Sequence, residues 1–192
     1  MKVMSILEIH QFLERLASLI RSQSRQSSGT FDLQPVHLNS LYYLSICNRY
    51  SDTLLALAEY LNQTKGTTSQ TIKLLEERGL VVKHPDLKDG RVGHLKLTAS
   101  GKKLVRQAWP SPILKEAEEI IPLDQQDALR DQLKQLLHTC QTTNGQKTFS
   151  ICHSCRHNEK RAEGYLCRLT QEPLTAEEVT QICREHEFAE TA

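Results

Sequence analysis

Four cysteines stand in the last quarter of the 192-residue chain: Cys152-x-x-Cys155, eleven residues, Cys167, fifteen residues, Cys183. Thiolates are strong ligands for zinc and iron, and two of them three residues apart can meet one centre from a single turn. The other two must come from separate turns or helix starts. Four thiolates make a complete set for zinc or for an iron–sulfur cluster. Structural zinc sites usually show two CxxC pairs, and only one is present, so a 4Fe–4S cluster and zinc both stay open on the residues alone. His153, His157 and His186 are substitute ligands, although each reads more readily as a surface or supporting group. Cys47 and Cys140 stand alone in helical patterns and are expected to be small buried hydrophobes. In a cytoplasmic chain, clustered cysteines more often bind metal or do redox chemistry than form structural disulfides.

The second chemistry is anion recognition. The formal net charge is only +1, but it is unevenly spread. Between Asn62 and Arg106 there are ten Lys or Arg against Glu76, Glu77, Asp86 and Asp89. The stretches from Glu116 to Asp131 and from Glu172 onward are acidic. A basic middle between acidic flanks suggests one anion-facing surface. Lys65, Thr67, Thr68, Ser69, Gln70 and Lys73 fall on one helical segment, where hydroxyls can donate to phosphates and Gln70 can read adenine. Lys88, Asp89 and Arg91 fall at a loop tip, from which a guanidinium can reach a phosphate or a minor groove.

The elements that would position these groups follow from periodicity. Ile6, Ile9, Leu13, Leu16, Leu19 and Ile20 have helical spacing. The segment SQSRQSSGT then reads as a break, with Ser28-Gly29 as loop. Pro35 suits a first helical turn, Asp52 or Thr53 can cap a third helix, and TTSQTIKLLEERG is a helix ending at Gly79. LVVKH and HLKLT read as strands around Asp89-Gly90, a β-hairpin. Thr98 or Ser100 opens a helix interrupted at Pro110 and Pro112, and Pro122 opens a last long one. QTTNGQKT reads as a linker to the cysteine-rich tail. The expected fold is mainly α with a small β-hairpin wing, a winged helix-turn-helix. The expected division is 1–34 (N-terminal dimerisation helix and loop), 35–106 (DNA-binding domain), 107–141 (C-terminal dimerisation helices) and 149–188 (metal- or cluster-binding extension). The acidic residues in the first segment and the lack of a long apolar run argue against a signal peptide or a membrane span, and favour a cytoplasmic protein.

The stretch from Leu54 to Leu104, LALAEYLNQTKGTTSQTIKLLEERGLVVKHPDLKDGRVGHLKLTASGKKL, resembles the MarR family of transcriptional regulators. Its helix pair, its LEERGLV exit, the Asp-x-Arg of the wing (Asp89, Arg91) and the LTxxG that follows (Leu97, Thr98, Gly101) carry the resemblance. It implies a homodimer on double-stranded operator DNA, with the terminal helices as dimer interface and Arg91, braced by Asp89, at the wing tip. Family members often take a phenolic small-molecule effector between the dimer helices and the DNA domain. Here Tyr42, Tyr43 and His37 could line such a space, although core packing suits them better.

The cysteine spacing resembles that of high-potential iron–sulfur proteins and of the cluster-bearing small subunits of some glycyl-radical enzymes. Phe149, Tyr165, Leu166, Ile182 and Phe188 match the apolar shielding this resemblance implies. A tail this short needs metal binding to supply folding free energy. The combined expectation is a transcriptional regulator, a repressor, whose DNA affinity depends on the state of the cluster. Two alternatives are a regulator with a purely structural zinc site and an electron-transfer or accessory module that uses the winged helix for protein contacts. A thiol enzyme built on Cys155 and His157 lacks an acid or oxyanion partner, so no enzymatic activity is expected.

Overall fold

The computed structural model describes residues 6–87 and 89–188. Among these residues, seven α-helices and a wing hairpin form a winged helix, and a small β-rich tail packs against it. The helices are α1 (Ile6–Thr30), α2 (Pro35–Ile46), α3 (Leu54–Tyr60), α4 (Lys65–Glu77), α5 (Ala99–Ala108), α6 (Pro112–Ile120) and α7 (Leu123–Thr143). The wing pairs β1 (Val81–Pro85) antiparallel to β2 (Gly93–Leu97), with Val81 opposite Leu97.

Helix α1 corrects the reading of SQSRQSSGT as a break, since the helix runs through all of it. Serine and threonine side chains can return their hydroxyls to the helix's own carbonyls. Ser28 donates to the Arg25 carbonyl (3.0 Å) and Thr30 to that of Gln26 (3.2 Å). The stop comes at Asp32, which takes a left-handed conformation (φ 51°) while the Leu33 N–H returns to the Ser28 carbonyl at 2.9 Å. Buried Leu33 then anchors the turn in the core. At the far end, α7 extends through Thr143 into the expected linker.

The core lies where α2, α3, α4 and the wing meet. Leu38, Leu41, Tyr43, Leu57, Ile72, Leu75, Val81 and Leu95 are buried there. Tyr43 donates to the Ser51 carbonyl at 2.6 Å, which satisfies its hydroxyl inside the core. His37 is buried with Nδ1 accepting from the Gln34 N–H (3.0 Å), and Tyr42 stacks on Trp109. All three are thus packed or hydrogen-bonded within the domain.

The LTxxG segment joins the wing to α5. Thr98 caps α5 by accepting from the Gly101 N–H (3.1 Å) and donates to the Gly79 carbonyl (2.7 Å). A Cβ on Gly101 would fall 2.2 Å from the Leu80 carbonyl oxygen, so the backbones approach closely only because that residue is glycine.

Helices α1 and α7 bury almost nothing within the chain. Phe12, Leu13, Leu16 and Leu19 on α1, and Leu129, Leu133 and Leu137 on α7, are exposed. Cys140 on α7 is exposed too, which corrects its expected burial, while Cys47 is buried as expected. Among the described residues no helix is long and apolar enough to cross a membrane.

The tail holds β3 (Ser150–Ile151), β4 (Asn158–Arg161), β5 (Gly164–Cys167), β6 (Glu172–Leu174) and β7 (Ile182–Cys183). β3 pairs with β7, and β4, β5 and β6 form a three-stranded sheet. Its hydrophobic cluster is small: Cys152, Leu174 and Val179 are buried, with Tyr50, Tyr165 and Cys167 packed around them.

Candidate DNA-reading face and cysteine centre

Helix α4 presents two faces. Thr64 caps it, accepting from the Thr67 N–H at 3.2 Å. Thr71, Ile72 and Leu75 turn inward. Lys65, Thr67, Ser69, Gln70 and Lys73 are exposed on the opposite side, as the groove reading requires. Thr68 is the exception. It is fully buried and its hydroxyl donates to the Thr64 carbonyl at 3.0 Å. That places it among the residues securing the helix start, and it is removed from the groove-facing set. Lys73 lies 3.9 Å from Glu77, a solvent-exposed pair that leaves it available to a phosphate.

At the wing tip Asp89 grips Arg91 with both oxygens, Oδ1 to Nε at 2.9 Å and Oδ2 to Nη2 at 2.8 Å. The Arg91 backbone N–H also reaches Asp89 Oδ1 at 3.0 Å. These bonds from Arg91 hold the Asp89 carboxyl below the usual range. The Arg91 side chain is 91% exposed, so it is braced at its base and open to solvent. Lys88 lies outside the described residues.

The wing is also fastened to the start of α3. His94 on β2 sits between two carboxylates, Nδ1 at 2.5 Å from Asp52 Oδ1 and Nε2 at 2.9 Å from Asp86 Oδ2. Lys96 reaches Asp52 Oδ2 at 2.5 Å, and the Leu95 N–H donates to the Asp52 carbonyl at 2.6 Å. The hydrogen bond to Asp52 raises the His94 pKa, partial burial opposes it, and Asp86 adds to the rise.

The four tail cysteines converge. Cys152 opens a 3-10 turn that closes with the Cys155 N–H on the Cys152 carbonyl (3.0 Å), so the CxxC pair comes from one turn. Cys167 ends β5 and Cys183 ends β7. All four line one small enclosed cavity of about 30 Å³ with an apolar lining surface, alongside Asn48, Tyr50, His157, Asn158, Leu174 and Glu185. Burial pushes the Cys152 thiol up, and the negative potential of the other three thiols adds to it. Cys183 is likewise raised by burial, opposed by Asn48, the Glu185 backbone and Ser51. The Asn158 amide points at Cys152 Sγ (3.4 Å), and the Glu187 N–H at Cys155 Sγ (3.5 Å). Among the described residues, no three His, Cys, Asp or Glu side chains gather as a site for a single metal ion.

The histidines of the tail stand differently. His186 is buried, pushed down to about 4 chiefly by burial, with Nε2 3.0 Å from Ser154 Oγ and its ring against Phe188. His157 lines the cavity and lies 3.5 Å from Glu187. His153 is exposed.

Sequence reading missed the winged-helix loop that completes this site. The Asn48 N–H donates to the Ile182 carbonyl (3.0 Å), next to Cys183 on β7. Arg49 binds Glu178 (2.7 Å) and the Pro173 carbonyl (2.7 Å), and the Tyr50 hydroxyl donates to Glu172 (2.9 Å). The Arg184 N–H donates to Ser51 Oγ (2.8 Å), and its guanidinium forks onto Glu59 at 2.5 and 2.8 Å. These contacts bridge more than 100 positions of sequence, and no local pattern announces them.

Comparison with known proteins places the fold. The MarR family model matches residues 31–92, the segment from the end of α1 into the wing. Staphylococcus aureus MepR in its DNA-binding conformation is 26% identical, with a TM-score of 0.58 over 69% of this chain and 98% of that chain. CouR from Rhodococcus jostii RHA1, bound to p-coumaroyl-CoA, is 21% identical, with a TM-score of 0.56 over 67% of this chain and 90% of that chain. A mutant of Escherichia coli MarR complexed with operator DNA is 18% identical, with a TM-score of 0.53 over 69% of this chain and 95% of that chain. No curated protein matches the chain. The family match over residues 31–92 and these likenesses show a fold similar to that of MarR-family proteins.

Proposed function

We propose that this chain is a MarR-type transcriptional regulator, a repressor, whose affinity for operator DNA is set by an iron–sulfur centre on Cys152, Cys155, Cys167 and Cys183. The observation that carries the reading is the convergence of all four cysteines on one apolar-walled cavity abutting the winged helix. The residues fit such a group chemically: four sulfur donors, with N–H groups directed at two of them. A single tetrahedral zinc, held by the same four sulfurs at about 2.3 Å, is the alternative occupant. When bound, the centre would supply an electron-accepting group sensitive to oxygen and reductants. The chain's own residues then hold the sulfurs, exclude water and tie that site to the domain that reads DNA.

On this reading Lys65, Thr67, Ser69, Gln70 and Lys73 enter a major groove, while Lys88 and Arg91 engage the backbone or minor groove at the wing. The exposed apolar rows of α1 and α7 pair with those of a second copy, which spaces two α4 helices over successive half-sites. A small-molecule effector has room in a cavity of about 650 Å³ between α2, α5 and the tail, lined by Leu44, Leu97, Val105, Lys102 and Arg106. CouR offers a precedent for a bound ligand.

The test is anaerobic purification with absorbance and metal analysis, followed by binding to the protein's own promoter DNA across a salt series. A brown protein with iron and acid-labile sulfide, whose DNA affinity falls steeply with salt and changes in Cys155→Ser, is the expected result. A colourless zinc protein would reduce the centre to a structural site. Salt-independent or absent promoter binding would point to an accessory module.

A further inference from the structure

Asn48 is the anomaly beside the cysteine cavity. It belongs to the winged helix, on the turn that follows α2, yet it lines the cavity formed by the tail's four thiols. It is 1% exposed, and its buried Nδ2 makes no well-formed hydrogen bond among the described residues, with the weakly accepting Cys183 thiol on the same cavity wall. Its other functions are taken. Oδ1 accepts from the Tyr50 N–H (3.2 Å) and the Ser51 hydroxyl (2.9 Å), and the backbone N–H donates to Ile182. These bonds fix which end of the amide faces the sulfurs. A buried donor left without a good acceptor is destabilising, and such orphans in native proteins call for an explanation. The surrounding side chains on the tail side offer sulfur.

We infer that Asn48 Nδ2 donates a hydrogen bond to a sulfur of the group held by the four cysteines, so that the winged-helix domain supplies part of that group's immediate surroundings. The inference rests on the iron–sulfur reading. Asn158, from the tail, gives the corresponding donor to Cys152. The Cys183 side of the site is served from the DNA-binding domain, by Asn48 and with Ser51 nearby. The centre is therefore assembled from both parts of the chain. When it is lost, the Asn48 donor is orphaned, at the foot of the loop whose Asp52 fastens the wing through His94 and Lys96. Asn48 is a positioning residue: it contacts the occupant without ligating it.

The experiment uses the anaerobically reconstituted full chain and two variants. Asn48→Asp keeps an acceptor for Tyr50 and Ser51 but removes the donor; Asn48→Leu removes the donor without adding charge. Both should release iron to a chelator about tenfold faster than the unaltered protein, by the usual cost of losing a group that supports a metal ligand. Both should also move the midpoint potential of the centre to more negative values, because hydrogen bonds to sulfur raise it. A shift in Asn48→Asp alone would be a charge effect and would overturn the inference. So would unchanged release and potential in both, with the cluster reading left standing. Unaltered protein that takes up no iron and sulfide overturns both readings together. Should neither variant fold, pulsed electron paramagnetic resonance of the reduced centre in chain labelled with 15N at asparagine amides supplies the measurement. A 15N coupling that survives Asn158→Leu supports the Asn48 bond, and its disappearance overturns it.

Discussion

At the scale of the residue, the proposed function makes Arg91 and Gln70 divide the work of binding. Arg91 is pre-aimed by Asp89, so less side-chain freedom is lost when it meets a phosphate or a groove. Arg91→Ala should weaken operator binding across all sequences and lower the salt slope by about one unit, read by fluorescence anisotropy at several salt concentrations. Gln70→Ala should cost about 1–3 kcal/mol and relax preference at one base pair only, visible when single substitutions are scanned through the operator. His94 adds a pH signature. Its folded pKa is raised by Asp52 and Asp86, so its contribution to stability is fully present below the unfolded value of about 6.5 and is lost as pH rises through the folded value. Thermal melts should show that loss as pH rises above the unfolded value, and His94→Asn should flatten it. Thr68 illustrates what residue types conceal. A threonine beside Thr67 and Ser69 looks as competent to touch DNA as they do, and only the turn of α4 about the buried Thr71, Ile72 and Leu75 separates it from them.

At the scale of the element, caps and periodicity were mostly readable. Pro35, Thr53, Thr98 and Pro122 start helices because fixed φ angles and hydroxyl caps act within a few residues. The Asp-Gly turn announces the wing for the same reason. The end of α1 was not readable, because the signals compete. SQSRQSSGT is rich in residues that favour turns, while the deciding facts are hydroxyl back-bonding and the burial of Leu33 against a distant core. Gly101 makes the opposite point: a one-letter feature of LTxxG corresponds to a backbone contact that no larger residue permits. Gly101→Ala should therefore lower stability by about 1–3 kcal/mol, measured as a fall in the denaturant midpoint, with operator affinity declining as the wing loosens. The exposed leucine rows of α1 and α7 were legible as amphipathic patterns, and the proposed function gives them a second copy of the chain as partner. Leu133→Glu should convert a dimer to a monomer by light scattering and abolish high-affinity operator binding.

At the scale of the whole molecule, the tail was legible as a set of four cysteines but not as a docked body. Four cysteines and their spacing can be read directly. Their common cavity depends on three short strand pairings and on Arg49, Tyr50 and Arg184 reaching across the chain. Arg184→Ala removes two guanidinium bonds to Glu59 and leaves a half-buried carboxylate facing an empty position. It should cost about 1–3 kcal/mol of docking. The expected result is faster hydrogen exchange over residues 150–188, with the α2–α4 core unchanged.

The loop from Cys47 to Asp52 serves two masters at once. Its first residues touch the tail, Tyr43 donates to Ser51, and Asp52 grips the wing. Such a segment limits how the two parts can be exchanged. A cysteine tail grafted onto another winged helix would arrive without its Asn48, its Arg49 and the Ser51 that receives Arg184. It could then bring its four sulfurs and still lack the wall on which they close. Recombination between regulators would have to move the pair together, or leave the tail without its counterpart, so residues 47–52 belong to the inheritable unit of the tail although they lie a hundred positions upstream of it.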